Sequence, residues 1–206
     1  MKKVIQIVLS ITIIVLAYLL FESISKPIRF EAEKKKIYEA TIERLKTIRT
    51  AQNAYKEKHG EYTKDFDKLI NFIKTDSLDI KRPINLGWDQ DEMTQEEAIR
   101  AGKLKFEITK VSVLDSLFKD VAIVDSMRYV PYTGGHQFEM GAGEVLTASK
   151  VKVKVFEAKV HNNILYKDLD RQLVINLNDD ARKIERYPGL KVGSLDEANN
   201  NAGNWE

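Results

Sequence analysis

The sequence predicts an α+β protein: a single N-terminal transmembrane helix, a long amphipathic helix, then an antiparallel β-sheet domain. Three observations predict it. Residues 4–21 read VIQIVLSITIIVLAYLLF, 18 positions without a charge. From Ile37 to Tyr55 apolar residues return every three or four positions, the period of one helix face. From Leu104 onward the period shortens to two, the signature of a strand with one wet face.

At about 1.5 Å per residue, the apolar run is just long enough to cross roughly 30 Å of hydrocarbon. Ser10 and Thr12 can return hydrogen bonds to the preceding turn, so they cost little in lipid. Tyr18 and Phe21 lie where rings favour the membrane interface. An uncleaved signal anchor is favoured over a removable signal peptide. The apolar run exceeds the usual h-region, and Ser23-Ile24-Ser25 is a poor cleavage site. Lys2 and Lys3 favour a cytoplasmic N-terminus, against Lys26, Arg29 and Lys34 to Lys36 on the far side. The expectation is a domain facing the periplasm or the cell exterior, held in the inner (plasma) membrane.

Residues 1–26 are thus read as tail and anchor, and residues 27–197 as an extracytoplasmic domain. Pro27 marks a place where the helix can restart or kink. Residues 27–60 form the long helix, its face built from Ile37, Thr41, Leu45, Ile48, Ala51, Gln52 and Tyr55. Lys34 to Lys36 read as a solvated face, with attraction to anionic headgroups as the alternative. Gly60 supplies the terminating cap. Residues 63–103 hold short helices and a loop. Thr63 is expected to cap a helix carrying Phe66, Leu69, Ile70 and Ile73, and residues 75–92 to be a loop. Thr94 and Glu97 fit a capping box, and Gly102 stops that helix.

Residues 104–197 are expected to be mainly antiparallel sheet. Strands are predicted at 104–113, at 121–132 and at 150–160, where Val151, Val153 and Val155 alternate with Lys152 and Lys154. A short helix or turn lies between the first two. Leu173-Val174-Ile175 is a further strand candidate. Thr133 to His136 and Gly141-Ala142-Gly143 are read as hairpin turns, and Tyr187-Pro188-Gly189 as a turn before Leu190, Val192 and Leu195. Residues 198–206, rich in asparagine, form a polar tail.

The segment 45–70, LKTIRTAQNAYKEKHGEYTKDFDKLI, resembles the pilin-like proteins, including the pseudopilins of type II secretion. It has an amphipathic helix ending Ala54-Tyr55-Lys56, then Gly60-Glu61-Tyr62-Thr63, then a second apolar helix. The resemblance implies a membrane helix continuous with an amphipathic helix packed against an antiparallel sheet. It also implies a subunit of a pilus- or secretion-like envelope assembly. Residues 1–21 contain neither glycine nor glutamate, so the family's prepilin-peptidase motif is missing.

No reaction is legible. The chain has 206 residues and no cysteine, which excludes disulfides, thiol catalysis and Cys-ligated metals. His59, His136 and His161 lack metal-ligand spacing. The glycines at 134–135 and 141–143 lack the residues of a phosphate loop. Asp168, Asp170, Asn176, Asn178, Asp179 and Asp180 resemble calcium ligands but lack the EF-hand glycine and glutamate. They are read as turn and cap residues. Tyr129, Tyr132, Phe138 and Phe156 are read as sheet or core residues. No catalytic, cofactor-binding or metal residue is therefore named, and no cofactor is expected. The net charge of +2 lies wholly on Lys2 and Lys3, and the rest of the chain is balanced. Nucleic acid is therefore not an expected partner. The expected partners are the lipid bilayer, other envelope or membrane proteins and, as an open alternative, further copies of the chain. The functional expectation is a non-catalytic structural or accessory subunit. The alternative is a tethered module that binds a small ligand or envelope polymer, which requires a concave pocket beside the sheet.

Overall fold

The computed structural model describes residues 2–89 and 91–206, with only the backbone of Lys2. Met1 in the expected tail, the Lys2 side chain and Gln90 in the expected 75–92 loop lie outside the described residues.

Helix α1 (Lys2–His59) has 58 residues and a length of about 87 Å. It runs through Pro27 without interruption, so the expected helix start at residue 27 is corrected. Proline removes one ladder bond and crowds one carbonyl, and the intact turns on both sides carry the helix across. Gly60 (φ 74°) ends it, donating its N–H to the Lys56 carbonyl at 2.7 Å. No residue from 3 to 29 is buried, and Phe30 is the first that is. Beyond it, Thr41, Leu45, Ile48, Ala51, Gln52 and Ala54 enter the core, as the helical period requires. Ser10 and Thr12 donate to the carbonyls of Gln6 and Val8, each at 2.9 Å.

Helix α2 (Phe66–Thr75) packs back on α1 through Phe66, Leu69, Ile70, Phe72 and Ile73. Its cap is Asp65, which accepts from the Asp67 and Lys68 amides, and not Thr63. Thr63 is held by Gln52. The Gln52 side-chain amide donates to the Thr63 carbonyl at 2.5 Å, and its oxygen accepts from the Thr63 amide at 3.1 Å. This buried pairing ties the link before α2 to the side of α1.

The expected 75–92 loop contains strand β1 (Ser77–Asn85). It pairs antiparallel with β2 (Leu104–Ser112), with Pro83 opposite Phe106. The proline obscures the strand in sequence, yet a two-stranded ribbon has free edges that need no proline N–H. Helix α3 (Gln95–Arg100) links them, and its Thr94–Glu97 capping box is complete. A π-helical turn (Leu114–Phe118) follows β2.

The strand expected at 121–132 is corrected to a helix, α4 (Val121–Ser126), capped by Asp120. Its buried positions, Val124 and Met127, are three apart and lie on one helical side. The 133–136 turn does return the chain, with Tyr129 bridging Gln137. Strands β3 (Glu139–Leu146), β4 (Lys152–His161) and β5 (Gly189–Gly193) form a separate antiparallel sheet in the order β3-β4-β5. Gly141 to Gly143 lie inside β3 and are not a turn. The Leu195 side chain covers them, 2.7 Å from where a Cβ on Gly141 would sit.

Between β4 and β5 come helices α5 (Asn162–Leu165) and α6 (Arg171–Lys183). The strand expected at 173–175 is therefore corrected to helix. Asp170 accepts from the Gln172 and Leu173 amides and starts α6. The expected single sheet over 104–197 is thus a two-stranded ribbon and a three-stranded sheet with helices between. The sheet lays Phe156, Ala158, Val160, Leu190 and Val192 into the same core as α1 and α2.

Residues 198–206 are not a free tail. Asn201 donates to Asn53 at 3.0 Å and to the Tyr62 hydroxyl at 2.7 Å. Gly203 bridges Val192, and Glu206 pairs with Arg49 at 2.7 Å. The end of the chain is latched along α1.

Candidate functional site

The residues singled out in the sequence do not converge. His59 ends α1, where its ring lies 4.3 Å from Tyr55 and 5.5 Å from Phe72 between centroids. His136 sits in an exposed turn. His161 caps α5, its Nδ1 accepting from the Asn163 amide at 3.0 Å. Burial, and next the charge of Arg182, lowers the pKa of His161. Among the described residues no three His, Asp or Glu side chains are grouped as a metal would need. Asp170 is a helix cap, and Asp180 pairs with Lys183 at 2.8 Å. Asn178 is buried and receives the Asn162 amide at 2.9 Å, then donates to Asn163 at 2.8 Å. Phe138 and Phe156 are buried, whereas Tyr129 and Tyr132 are 41% and 55% exposed; Tyr129 bridges Gln137, as a sheet-face residue can, and Tyr132 lies in the turn that follows rather than on a strand.

Several clefts of similar size form, and the one beside the sheet lies between α1 and α6, with a volume of about 330 Å³. Lys34 and Tyr38 of α1 form one side. Leu177, Asp180 and Ala181 on one face of α6, with Ile184 just past its end, form the other. The floor is Asn162, Tyr166 and Leu190, and the segment Arg186–Tyr187 closes one end. The fold needs each part. The Asn162–Asn178 bond pins α5 to α6, and Phe30 stacks obliquely near Tyr166, with centroids 6.5 Å apart. Asn204 fixes the β5 side by donating to the Gly189 carbonyl at 2.9 Å.

Electrostatically the floor is neutral and the rim is mixed. Burial pushes the Tyr166 phenol well above its usual range, and the nearby Tyr38 and Glu31 add to this. Burial, followed by Glu139 and Glu157, raises Tyr187 to about 12. Both phenols are therefore neutral hydrogen-bonding groups at neutral pH. Lys34 is bound to Glu31 at 2.7 Å. Sequence reasoning missed this site because its residues run from position 34 to 204 with no fixed spacing. No residue type or spacing in the sequence marked it in advance.

Fold and site together define an α+β domain carried on a helix whose first half is exposed and apolar. Comparison with known proteins returns no matching family model, no similar curated protein and no similar solved structure.

Proposed function

We propose that the chain is a single-pass, membrane-anchored structural or accessory subunit of a cell-envelope assembly, without a catalytic role. The carrying observation is the first half of α1. Its most apolar 18-residue window has a mean hydropathy of 2.7 and is 0% buried. Fourteen large apolar residues between Val4 and Phe21 stand 50–68% exposed. Such a surface needs an apolar phase around it, and a bilayer fits its length. Ser10 and Thr12 support this reading by satisfying their hydroxyls within the helix. The pilin-like features of residues 45–70 support an assembly of the pilus or secretion kind. The domain then lies in the periplasm or outside the cell, with envelope proteins or further copies as partners. The test is gentle extraction of the full chain from its native membrane, with a topology reporter fused after Glu206. A co-purifying protein or an oligomer, with the reporter outside the cytoplasm, is expected. A strictly monomeric species, or a cytoplasmic reporter, overturns the reading.

A second reading, a tethered binding module, is favoured by the α1/α6 cleft beside the sheet. It predicts that a ligand raises the unfolding temperature of the full chain.

A further inference from the structure

The floor of the α1/α6 cleft holds two polar side chains whose bonding capacity the fold leaves unused. Tyr166 is 3% exposed and Asn162 is 7% exposed. Among the described residues, nothing hydrogen-bonds the Tyr166 hydroxyl. The Asn162 amide nitrogen is spent on Asn178, while its oxygen has no partner. Neither atom is sealed in protein, since no fully enclosed side-chain nitrogen or oxygen lacks a partner. Both residues line the cleft, and Tyr166 also borders a second pocket beside Asn163 and Val174. Water bonds both groups in the free protein, so a ligand that displaces it must return those bonds or lose about 1–3 kcal/mol for each. A hydroxyl satisfies the pair, because it can accept from a phenol and donate to an amide oxygen at once.

The walls and mouth narrow the ligand further. Tyr38 and Tyr187 line the cleft beside the apolar Leu177, Ile184 and Leu190. The volume of about 330 Å³ is at the small end of the roughly 300–1,000 Å³ range of ligand pockets. It holds a single ring better than a chain. At the mouth, Asp180 is paired with Lys183 and Lys34 with Glu31. Among the described residues, Arg186 has no carboxylate within 4.0 Å. Its planar guanidinium is suited to a carboxylate supplied by a ligand.

We infer that the cleft binds an acidic monosaccharide unit, a hydroxyl-bearing ring carrying a carboxylate. The hydroxyls sit on Tyr166 and Asn162, and the carboxylate sits on Arg186. The inference deepens the tethered-binding reading and rests on it. The anchor geometry agrees with an aqueous ligand. Lys34 lies 13 helical residues beyond Phe21, a rise of about 20 Å. The headgroup layer occupies only about 5–8 Å on each side of the hydrocarbon, so the cleft stands clear of lipid even if the helix tilts by about 40°.

The test is saturation-transfer NMR on the full chain in detergent micelles, with glucuronate, glucose and a galacturonate hexamer as probes. Glucuronate should bind about ten-fold more tightly than glucose. Arg186→Gln should erase that difference, because it removes the carboxylate's partner only. Tyr166→Phe should weaken both monosaccharides about ten-fold while leaving the fold intact, since its hydroxyl has no partner to lose. Tighter binding of the hexamer identifies a polymer-borne unit, and tighter binding of glucuronate identifies a free sugar; both support the inference. No transfer from any of the three probes at millimolar concentration overturns it. So does an unchanged glucuronate-to-glucose ratio in Arg186→Gln. Liposome flotation of the same preparation separates the two failures. A chain that floats but binds no probe refutes the saccharide site alone. A chain that binds but does not float refutes the anchor alone.

Discussion

Replacing Ile13 and Leu16 together by arginine should release the protein from the membrane, whereas Ile13→Arg alone should not. The span from residue 4 to 21 holds 13 Val, Ile, Leu or Phe residues. At about −0.3 to −0.6 kcal/mol each, they favour insertion by about −4 to −8 kcal/mol in total. One arginine near the helix centre costs about +2.5 to +3.5 kcal/mol and leaves the balance favourable. Two cost about +5 to +7 kcal/mol and also remove two apolar contributions, which brings the balance to between about −2 and +4 kcal/mol, centred on the unfavourable side. The folded domain should not notice, because Ile13 and Leu16 are each 59% exposed and touch none of its core. Alkaline carbonate extraction of isolated membranes is the assay, with the unfolding midpoint of the domain measured alongside. The single variant should pellet, the double variant should appear in the supernatant, and the midpoint should stay within about 0.5 kcal/mol. A double variant that still pellets would refute membrane insertion as the reason for the exposed apolar surface. A shifted midpoint would refute its independence from the domain.

Gln52→Leu should destabilise the chain by about 2–5 kcal/mol in urea unfolding, because it strands the amide and carbonyl of the buried Thr63; a loss under about 0.5 kcal/mol would refute the helix-clamp role. His161 has a lowered pKa in the fold, so it favours folding above its unfolded value of about 6.5 and loses that contribution as pH falls through its folded value. The thermal midpoint should drop across that range, and His161→Asn, a cap without a titrating group, should flatten the drop. Gly193→Ala should cost at least about 1–3 kcal/mol, since position 193 has φ 72° and an added Cβ would meet the Phe156 carbonyl; thermal unfolding reads it, and a neutral result would refute the strain.

The features legible in the sequence are those that local physics decides. A charge-free run of 18 residues prefers an apolar surrounding whatever follows it. Thr94 and Glu97 close a capping box within one turn, and Gly60 ends α1 because it adopts a left-handed backbone without penalty. The alternation in β4 is likewise local. Where short apolar runs carry no clear period, the sequence misleads. Val121 to Val124 and Leu173 to Ile175 are rich in β-branched residues, yet Asp120 and Asp170 cap them as helices. Each then buries only one side against the core. A three-residue run has the same periodicity in helix and strand, so packing decides between them.

The cleft lies at the far end of this scale. Tyr38, Asn162, Tyr166, Arg186 and Asn204 have no common motif, and nothing in their spacing brings them together. The contacts that assemble them, Asn162 to Asn178 and Asn204 to Gly189, join segments distant in the chain. By itself the sequence determined the exposed apolar first half of α1, the amphipathic half behind it and the balanced charge of the domain, because solvation and helical period act residue by residue. Only the tertiary structure decided the helix–strand alternatives after β2, the latching of residues 198–206 and the cleft with its two unspent polar groups. Those depend on which side chains are buried together, and burial is a property of the packed chain.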